Sequence, residues 1–413
     1  MTGGAVFDGV RILEFGGGAA GPLATRYFAE YGADIVRVES ARRADFLRLL
    51  PFVGARQRGE APAAGPDFDA SPMFAALNPD KRSVSLDLSQ PRGVELALRL
   101  AAWADIVTEN FSPGVMERLG LGWETLNEGR DDLIMVSGCL FGQTGPQRSY
   151  PGFGGQGSAI AGFNHLTGWP DREAVGPYAT ITDSLSPRFI GVLLAGALRE
   201  RRRTGRGRYF DLSQIETGIY ALSEAVVRHS ATGESLERDG NRSESVSPHG
   251  VYPCAGEDRW IAISARTEAE WAALVEGLGS PEWAGAERFA TAPARKTNEP
   301  ELDERLAAWT RSQEPAALME RLQAAGVPAG AVQAPADVLA DPQLAHRGHF
   351  VELDHPVLGA LASERSGFRL SECEGSVRAP APLLGEHTRR VLGEVLGLGD
   401  GELDQLEADG VLT

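Results

Sequence analysis

The opening of this chain constrains its fold more than any other feature. A strand, a glycine loop, a helix and a second strand follow one another within the first forty residues. Val10–Phe15 reads as a strand, and Gly16-Gly-Gly-Ala-Ala-Gly21 as a tight loop. Pro22 suits the first turn of a helix running to about Tyr31. Ile35-Val-Arg-Val38 is the next strand, which makes a βαβ unit and a parallel sheet.

The alternation continues. Strands are expected over 83–88, 106–108 and 133–137, with a helix over 91–104. This predicts an α/β fold, a doubly wound large domain. Residues 41–72 read as an irregular excursion rich in Ala, Pro, Gly and Arg. A long helix is expected from about Ser186 to Arg203, with Ser186 as its cap, Pro187 in its first turn and Gly205 ending it. The polar stretch 226–245 reads as a linker. A smaller α+β unit follows over 246–332, opening on a hairpin-like pattern and continuing with helices near 267–277, 301–312 and 315–325. Residues 333–413 carry strands and two terminal helices. The first part of the large domain is thus 1–225.

Charge narrows the function. With 40 Lys and Arg against 57 Asp and Glu, the net charge is −17. Such a chain is a poor partner for nucleic acid or an anionic membrane. No segment reaches the roughly 18 unbroken apolar residues of a membrane span. The N-terminus shows no basic region followed by an apolar stretch, so a cytoplasmic enzyme is the expectation. Cys139, Cys254 and Cys373 show no metal spacing, and a reducing compartment accommodates them as ordinary small side chains. Only Lys81 and Lys296 could serve a Schiff-base mechanism.

Three features could carry chemistry. Gly16, Gly18 and Gly21 match G-x-G-x-x-G between strand and helix, and Glu39 ends the next strand near the spacing of a ribose-binding acid. A dinucleotide site, a cradle for other phosphates or a pantetheine chain, and a plain βα turn all fit this loop. The second feature is a set of cations near strand ends: Arg37, Arg42, Arg43, Lys81, Arg82, Arg118 and Arg148. Arg grips phosphate bidentately, although most surface arginines are simply solvated. The third is Asp183, just ahead of the long helix. An Asp there commonly stabilises the helix end. A carboxylate is also ionised at neutral pH without a partner base, so it can attack an acyl thioester directly. No G-x-S-x-G, H-E-x-x-H or P-loop lysine motif is present.

Several stretches together resemble the family III CoA-transferases, the group that includes formyl-CoA:oxalate and carnitine CoA-transferases. They are Gly9–Phe15, Ala20-Gly-Pro22, Gly32–Glu39, Lys81–Leu88, Ala104–Gly114 with its Glu-Asn-Phe-Ser-Pro-Gly, Phe141–Pro146, Arg203–Gly207 and Pro382–Thr388 with its Leu-Gly-Glu-His-Thr. The resemblance implies an interlocked homodimer whose large domain is built from both chain ends. It implies acyl-CoA as substrate, with no permanently bound cofactor and no metal. Asp183 matches the catalytic aspartate. Ala19, Ala20, Arg37, Arg42, Leu86, Asn110, Phe111, Ser112, Arg118, Arg148, Phe153 and Gly154 fall at CoA-contacting positions, and His249 at a substrate-contacting one.

Some positions depart from the oxalate enzymes. Ala19 replaces a glutamine, Gly154 an acidic residue, and Val246–Pro253 a tetraglycine loop. The segments Gly152–Gly157 and Leu166–Pro177 look more like the succinyl-CoA:benzylsuccinate branch, which implies a bulkier dicarboxylic or aromatic acid. The related 2-methylacyl-CoA racemases use a histidine where Phe153 stands, and phenylalanine cannot shuttle a proton. An NAD-dependent oxidoreductase and a catalytically silent CoA-binding paralogue are the remaining rivals.

Overall fold

Six short strands line up in parallel, in the order β3-β2-β1-β4-β5-β6. They are β1 (Arg11–Glu14), β2 (Asp34–Glu39), β3 (Arg82–Ser85), β4 (Ile106–Glu109), β5 (Ile134–Cys139) and β6 (Arg208–Ser213). The computed structural model describes residues 5–50, 67–178 and 180–413; positions 51–66 of the expected excursion lie outside them.

Alternation along the strands sends neighbouring side chains to opposite faces. Leu13, Val36, Val107 and Met135 enter one core, while Ile12, Ile35, Ile106 and Ile134 enter the other. Helices cover both faces, as a fully buried parallel sheet requires. α1 (Ala20–Glu30) and α4 (Ile181–Thr204) contribute Phe28, Ile190 and Leu194 to the second core. α2 (Pro91–Trp103) and the terminal helices α10 (Thr388–Leu396) and α11 (Asp400–Ala408) contribute Leu96, Leu100, Val391, Leu392 and Leu403 to the first. Both ends of the chain therefore build one core. The Leu-Gly-Glu-His-Thr segment serves this closure: Gly385 N–H donates to Ser83 Oγ at 2.8 Å, and Thr388 Oγ1 accepts from Ser85 N–H at 2.9 Å.

By length and composition α4 could cross a membrane. Here its buried Ile190, Leu194, Ala197 and Leu198 pack into the core, and Asp183 and Arg188 interrupt its apolar run.

The chain divides into two compact units. One comprises residues 1–164, 176–235 and 346–413, the other 165–175 and 236–345. The division at 236 falls ten residues before the expected start of the small domain. The first seven residues of the expected linker, 226–232, are helical, since α6 spans Ser223–Thr232 after α5 (Gln214–Ala221). The second unit holds the antiparallel sheet β7-β8-β9 (His249–Pro253, Trp260–Ser264, Ala329–Ala331). It is packed by α7 (Glu268–Gly277), α8 (Glu299–Thr310) and α9 (Pro315–Ala324) around Trp271, Phe289, Leu302 and Leu322. In the larger unit the hairpin β10–β11 (Phe350–His355, Gly359–Glu364) precedes the terminal helices.

Candidate active site

The strand order reverses between β1 and β4, and the loops leaving these two strands diverge there. Such a switch point, at the carboxyl ends of the strands, is where open α/β sheets bind ligands. The Gly16–Gly18 loop follows β1 and Asn110–Ser112 follows β4. Asn110 clasps the loop: its Oδ1 accepts from Gly17 N–H at 3.0 Å and its amide nitrogen donates to Gly17 O. Gly16 has φ +97°, and a Cβ there would stand 1.9 Å from Asn110 Oδ1. At this loop glycine makes room for the asparagine, which explains the spacing without a nucleotide. Glu39 is buried and bound to Arg48 at 2.8 Å and to Ser83 Oγ at 2.6 Å. It is not free to hold a ribose, so the dinucleotide interpretation of this motif fails.

Behind the loop lies a buried ion network. Arg37 is fully buried; it donates to Gly16 O at 2.9 Å and to Asp45 Oδ2 at 2.6 Å, and pairs with Glu14. Asp45 Oδ1 in turn accepts from Gly18 N–H and Leu47 N–H, each at 3.0 Å. Burial would raise the Glu14 carboxyl, but Lys81 and Arg37 beside it outweigh burial and hold it at about 2. Burial brings Lys81 down to about 8 against the pull of Glu14. Arg37 and Lys81 are thus internal struts and not phosphate ligands, a correction to the expectation from their strand-end positions.

Leu86 is likewise a core side chain. Arg42 turns to Asp87 at 3.2 Å. Arg118 is exposed at the end of a short helix, where its Nη1 would lie 3.1 Å from a Cβ on Gly114. None of these three lines the cleft described next. His249 lies in the second unit, beside a hollow of about 690 Å³, with Nδ1 3.0 Å from Ser264 Oγ.

Asp183 sits inside the first turn of α4, which begins at Ile181. The expected start at Ser186 is five residues late. Ser186 caps nothing; its hydroxyl bonds back to Thr182 O at 2.8 Å and contacts Thr217 Oγ1 at 2.9 Å. Thr180, ahead of the helix, takes the left-handed conformation at φ +48°, a strained position for a β-branched residue. From there its hydroxyl donates to Asp183 Oδ2 at 2.7 Å. Gln214 Nε2, at the start of α5, donates to Oδ1 at 3.2 Å. The Gly154 backbone N–H is a third donor. Burial pushes the Asp183 carboxyl above its ordinary value, and these three donors pull it part of the way back. Among the described residues no cation pairs with this carboxylate.

A cleft of about 440 Å³ brings Asp183 together with Ala19, Ala20, Asn110, Phe111, Ser112, Arg148 and Phe153. Gly154 touches the carboxylate from α3 (Gly154–Ala161). The cleft also uses Arg43, one of the strand-end cations considered for phosphate, and Phe46 and Gln214, which sequence reasoning did not assign to the site. Thr180 was missed as well, although Thr-x-x-Asp is a visible helix-start pattern. Gln214 carries no local signal. Among the described residues no group of His, Cys, Asp and Glu could hold a metal ion.

The model of CoA-transferase family III matches residues 7–388. This chain belongs to that family.

As a family III CoA-transferase it is an enzyme with named relatives along its whole length. It is 35% identical over 406 residues to the succinyl-CoA–D-citramalate CoA-transferase of Chloroflexus aurantiacus, covering 98% of each chain. It is 30% identical to the succinyl-CoA:glutarate CoA-transferase of Mus musculus, covering 98% of this chain and 90% of that one. A CAIB/BAIF family protein from Brucella suis superposes with a TM-score of 0.84 at 29% identity, over 95% of this chain and all of that one. The parallel six-stranded sheet with small antiparallel sheets matches that structure.

Proposed function

We propose that this CoA-transferase moves CoA from succinyl-CoA to a dicarboxylic acid through an aspartyl-CoA thioester on Asp183. The observation that carries the proposal is the Asp183 carboxylate, held by Thr180, Gln214 and Gly154 in the cleft shared with Asn110 and Phe111. An oxygen of Asp183 attacks the thioester carbonyl of the donor, the C–S bond breaks, and CoA thiolate leaves a mixed anhydride. The thiolate attacks the aspartyl carbonyl and releases the donor acid. The acceptor carboxylate then attacks the aspartyl thioester, and the thiolate returns to the acceptor acyl carbon, freeing Asp183. Backbone N–H groups of the glycine segments stabilise the oxyanions.

The dicarboxylic acceptor is supported by the named relatives, whose acids are citramalate and glutarate. It also agrees with the benzylsuccinate-like segments. Ala19 and Gly154 speak against oxalate. The working form proposed is an interlocked homodimer in the cytoplasm, with His249 contacting substrate. Arg148 and the Asn110–Ser112 segment hold the CoA.

The test is incubation with succinyl-CoA followed by hydroxylamine and peptide mass spectrometry. A hydroxamate on Asp183, and loss of exchange in Asp183→Ala, are the expected results. Unchanged exchange in that variant sinks the mechanism.

A further inference from the structure

Phe46 and Phe153 come from distant parts of the chain, yet their ring centroids are 5.4 Å apart at 47°. Both line the cleft that holds Asp183. Both are large apolar groups left open to solvent, at 45% and 64% exposure. Neither side chain contributes to a core, so the fold alone does not account for them.

Their positions are held. Phe46 lies between Asp45 and Leu47. Asp45 ties Gly18 N–H and Leu47 N–H to one carboxylate oxygen, while Arg37 grips the other oxygen together with Gly16 O. The ring rests against Gly18, where a Cβ would stand 3.1 Å from Phe46 Cε1. Phe153 is fixed through its own N–H, which donates to Gln156 Oε1 at 2.9 Å. It immediately precedes Gly154, whose N–H holds the Asp183 carboxylate. The two rings thus join the glycine-loop side of the cleft to the nucleophile side.

We propose that Phe46 and Phe153 form an apolar gate that keeps water from the acyl group on Asp183 while CoA and the acid exchange. This inference rests on the aspartyl-thioester reading above. In the competing step, water attacks the aspartyl carbonyl, the C–S bond breaks, one proton of the water goes to the departing thiolate and the other to solvent, and Asp183 returns as a carboxylate. Each such event consumes an acyl-CoA without transfer. Excluding water from a site with a reactive intermediate suppresses such a side reaction.

The test uses succinyl-CoA with isotopically labelled succinate, so donor and acceptor are the same acid. Label entering succinyl-CoA reports transfer, and free thiol reports hydrolysis. In Phe46→Ala/Phe153→Ala the ratio of thiol release to exchange is expected to rise on the order of tenfold, and in Phe46→Leu/Phe153→Leu to stay near the wild-type ratio. An unchanged ratio in the alanine variant, with wild-type melting and Asp183-dependent exchange, overturns the gate alone. Absence of label exchange in the wild type overturns the succinyl-CoA reading and the gate with it.

Discussion

Gly154 lies so close to Asp183 that a Cβ built on it would stand 2.2 Å from Oδ2 and 2.4 Å from Cγ of the carboxylate. No real side chain fits there. The glycine therefore sets the distance at which its own N–H meets the nucleophile.

Gly154→Ala is accordingly expected to displace the Asp183 carboxylate while leaving the fold intact, because alanine is the better residue at a helix start. A misplacement of about 1 Å costs on the order of 100-fold in rate. Steady-state CoA exchange should show that loss in kcat, and thermal melting should show little change. A large drop in melting temperature would mean that the strain spreads into α3 instead.

The pH profile follows from the same carboxylate. Burial raises the Asp183 pKa, and only the ionised form attacks. Activity is present above that pKa and is lost as pH falls through it. The acid limb of kcat/KM should therefore lie above the ordinary aspartate value of about 3.9. Gln214 donates to the ionised form at 3.2 Å. Gln214→Leu removes one of the contacts that lower the pKa and should move the limb further toward neutral pH. An unmoved limb with reduced kcat would assign Gln214 to packing.

Much of the fold was legible because short apolar strands such as Ile106-Val-Thr and glycine-to-proline helix starts are local signals. The start of α4 was not. Pro187 and Ser186 look like a helix beginning, but here the proline sits in the second turn. At that depth the proline leaves Asp183 O without its helical N–H donor. Asp183 was found through the chain-long set of motifs, whereas its partners Thr180, Gln214 and Gly154 are assembled by the tertiary fold. Arg37 and Leu86 mark the opposite failure. Both stand near strand ends, but a sequence does not say which side of a strand end faces the ligand, and both side chains are buried.

Glu109 offers a stability test. Burial raises this carboxyl to about 7, with the Ser137 hydroxyl and Phe111 N–H pulling down and Glu117 and Asp211 pushing up. A folded-state pKa above the unfolded value of about 4.3 means the folded protein holds the proton more tightly. This contribution to stability is complete below about pH 4.3, ebbs as pH rises and is gone above about 7. It amounts to no more than about 4 kcal/mol. Denaturant titrations of wild type and Glu109→Gln at several pH values should show a shallower decline in the variant. Parallel slopes would place the titration elsewhere.

Asn110 holds the glycine loop with both ends of its amide, accepting from Gly17 N–H and donating to Gly17 O. Asn110→Asp keeps the size and the acceptor but loses the donor. Leaving Gly17 O without its partner costs about 1–3 kcal/mol, so KM for the acyl-CoA should rise roughly tenfold or more with a smaller effect on kcat. Equal losses in both constants would tie Asn110 to the chemical step.

Arg42 and Arg43 are adjacent and both exposed, and the fold separates them. Arg42 reaches Asp87 at 3.2 Å, whereas Arg43 lines the cleft beside Phe46 and has no ion-pair partner among the described residues. In a chain with net charge −17, an unpaired guanidinium on a ligand cleft is available to an anion, and Arg suits phosphate geometry. Arg43→Ala should raise KM for the acyl-CoA by about tenfold, the worth of one charge-assisted hydrogen bond, while Arg42→Ala should change it by less than about threefold, as expected for an exposed ion pair. Comparing CoA with 3′-dephospho-CoA in both variants then locates the contact. If Arg43 holds the 3′-phosphate, its substitution costs nothing further with the dephosphorylated substrate. If it holds the diphosphate, the tenfold loss persists. Equal effects of the two substitutions would show that the cleft does not tell these neighbours apart.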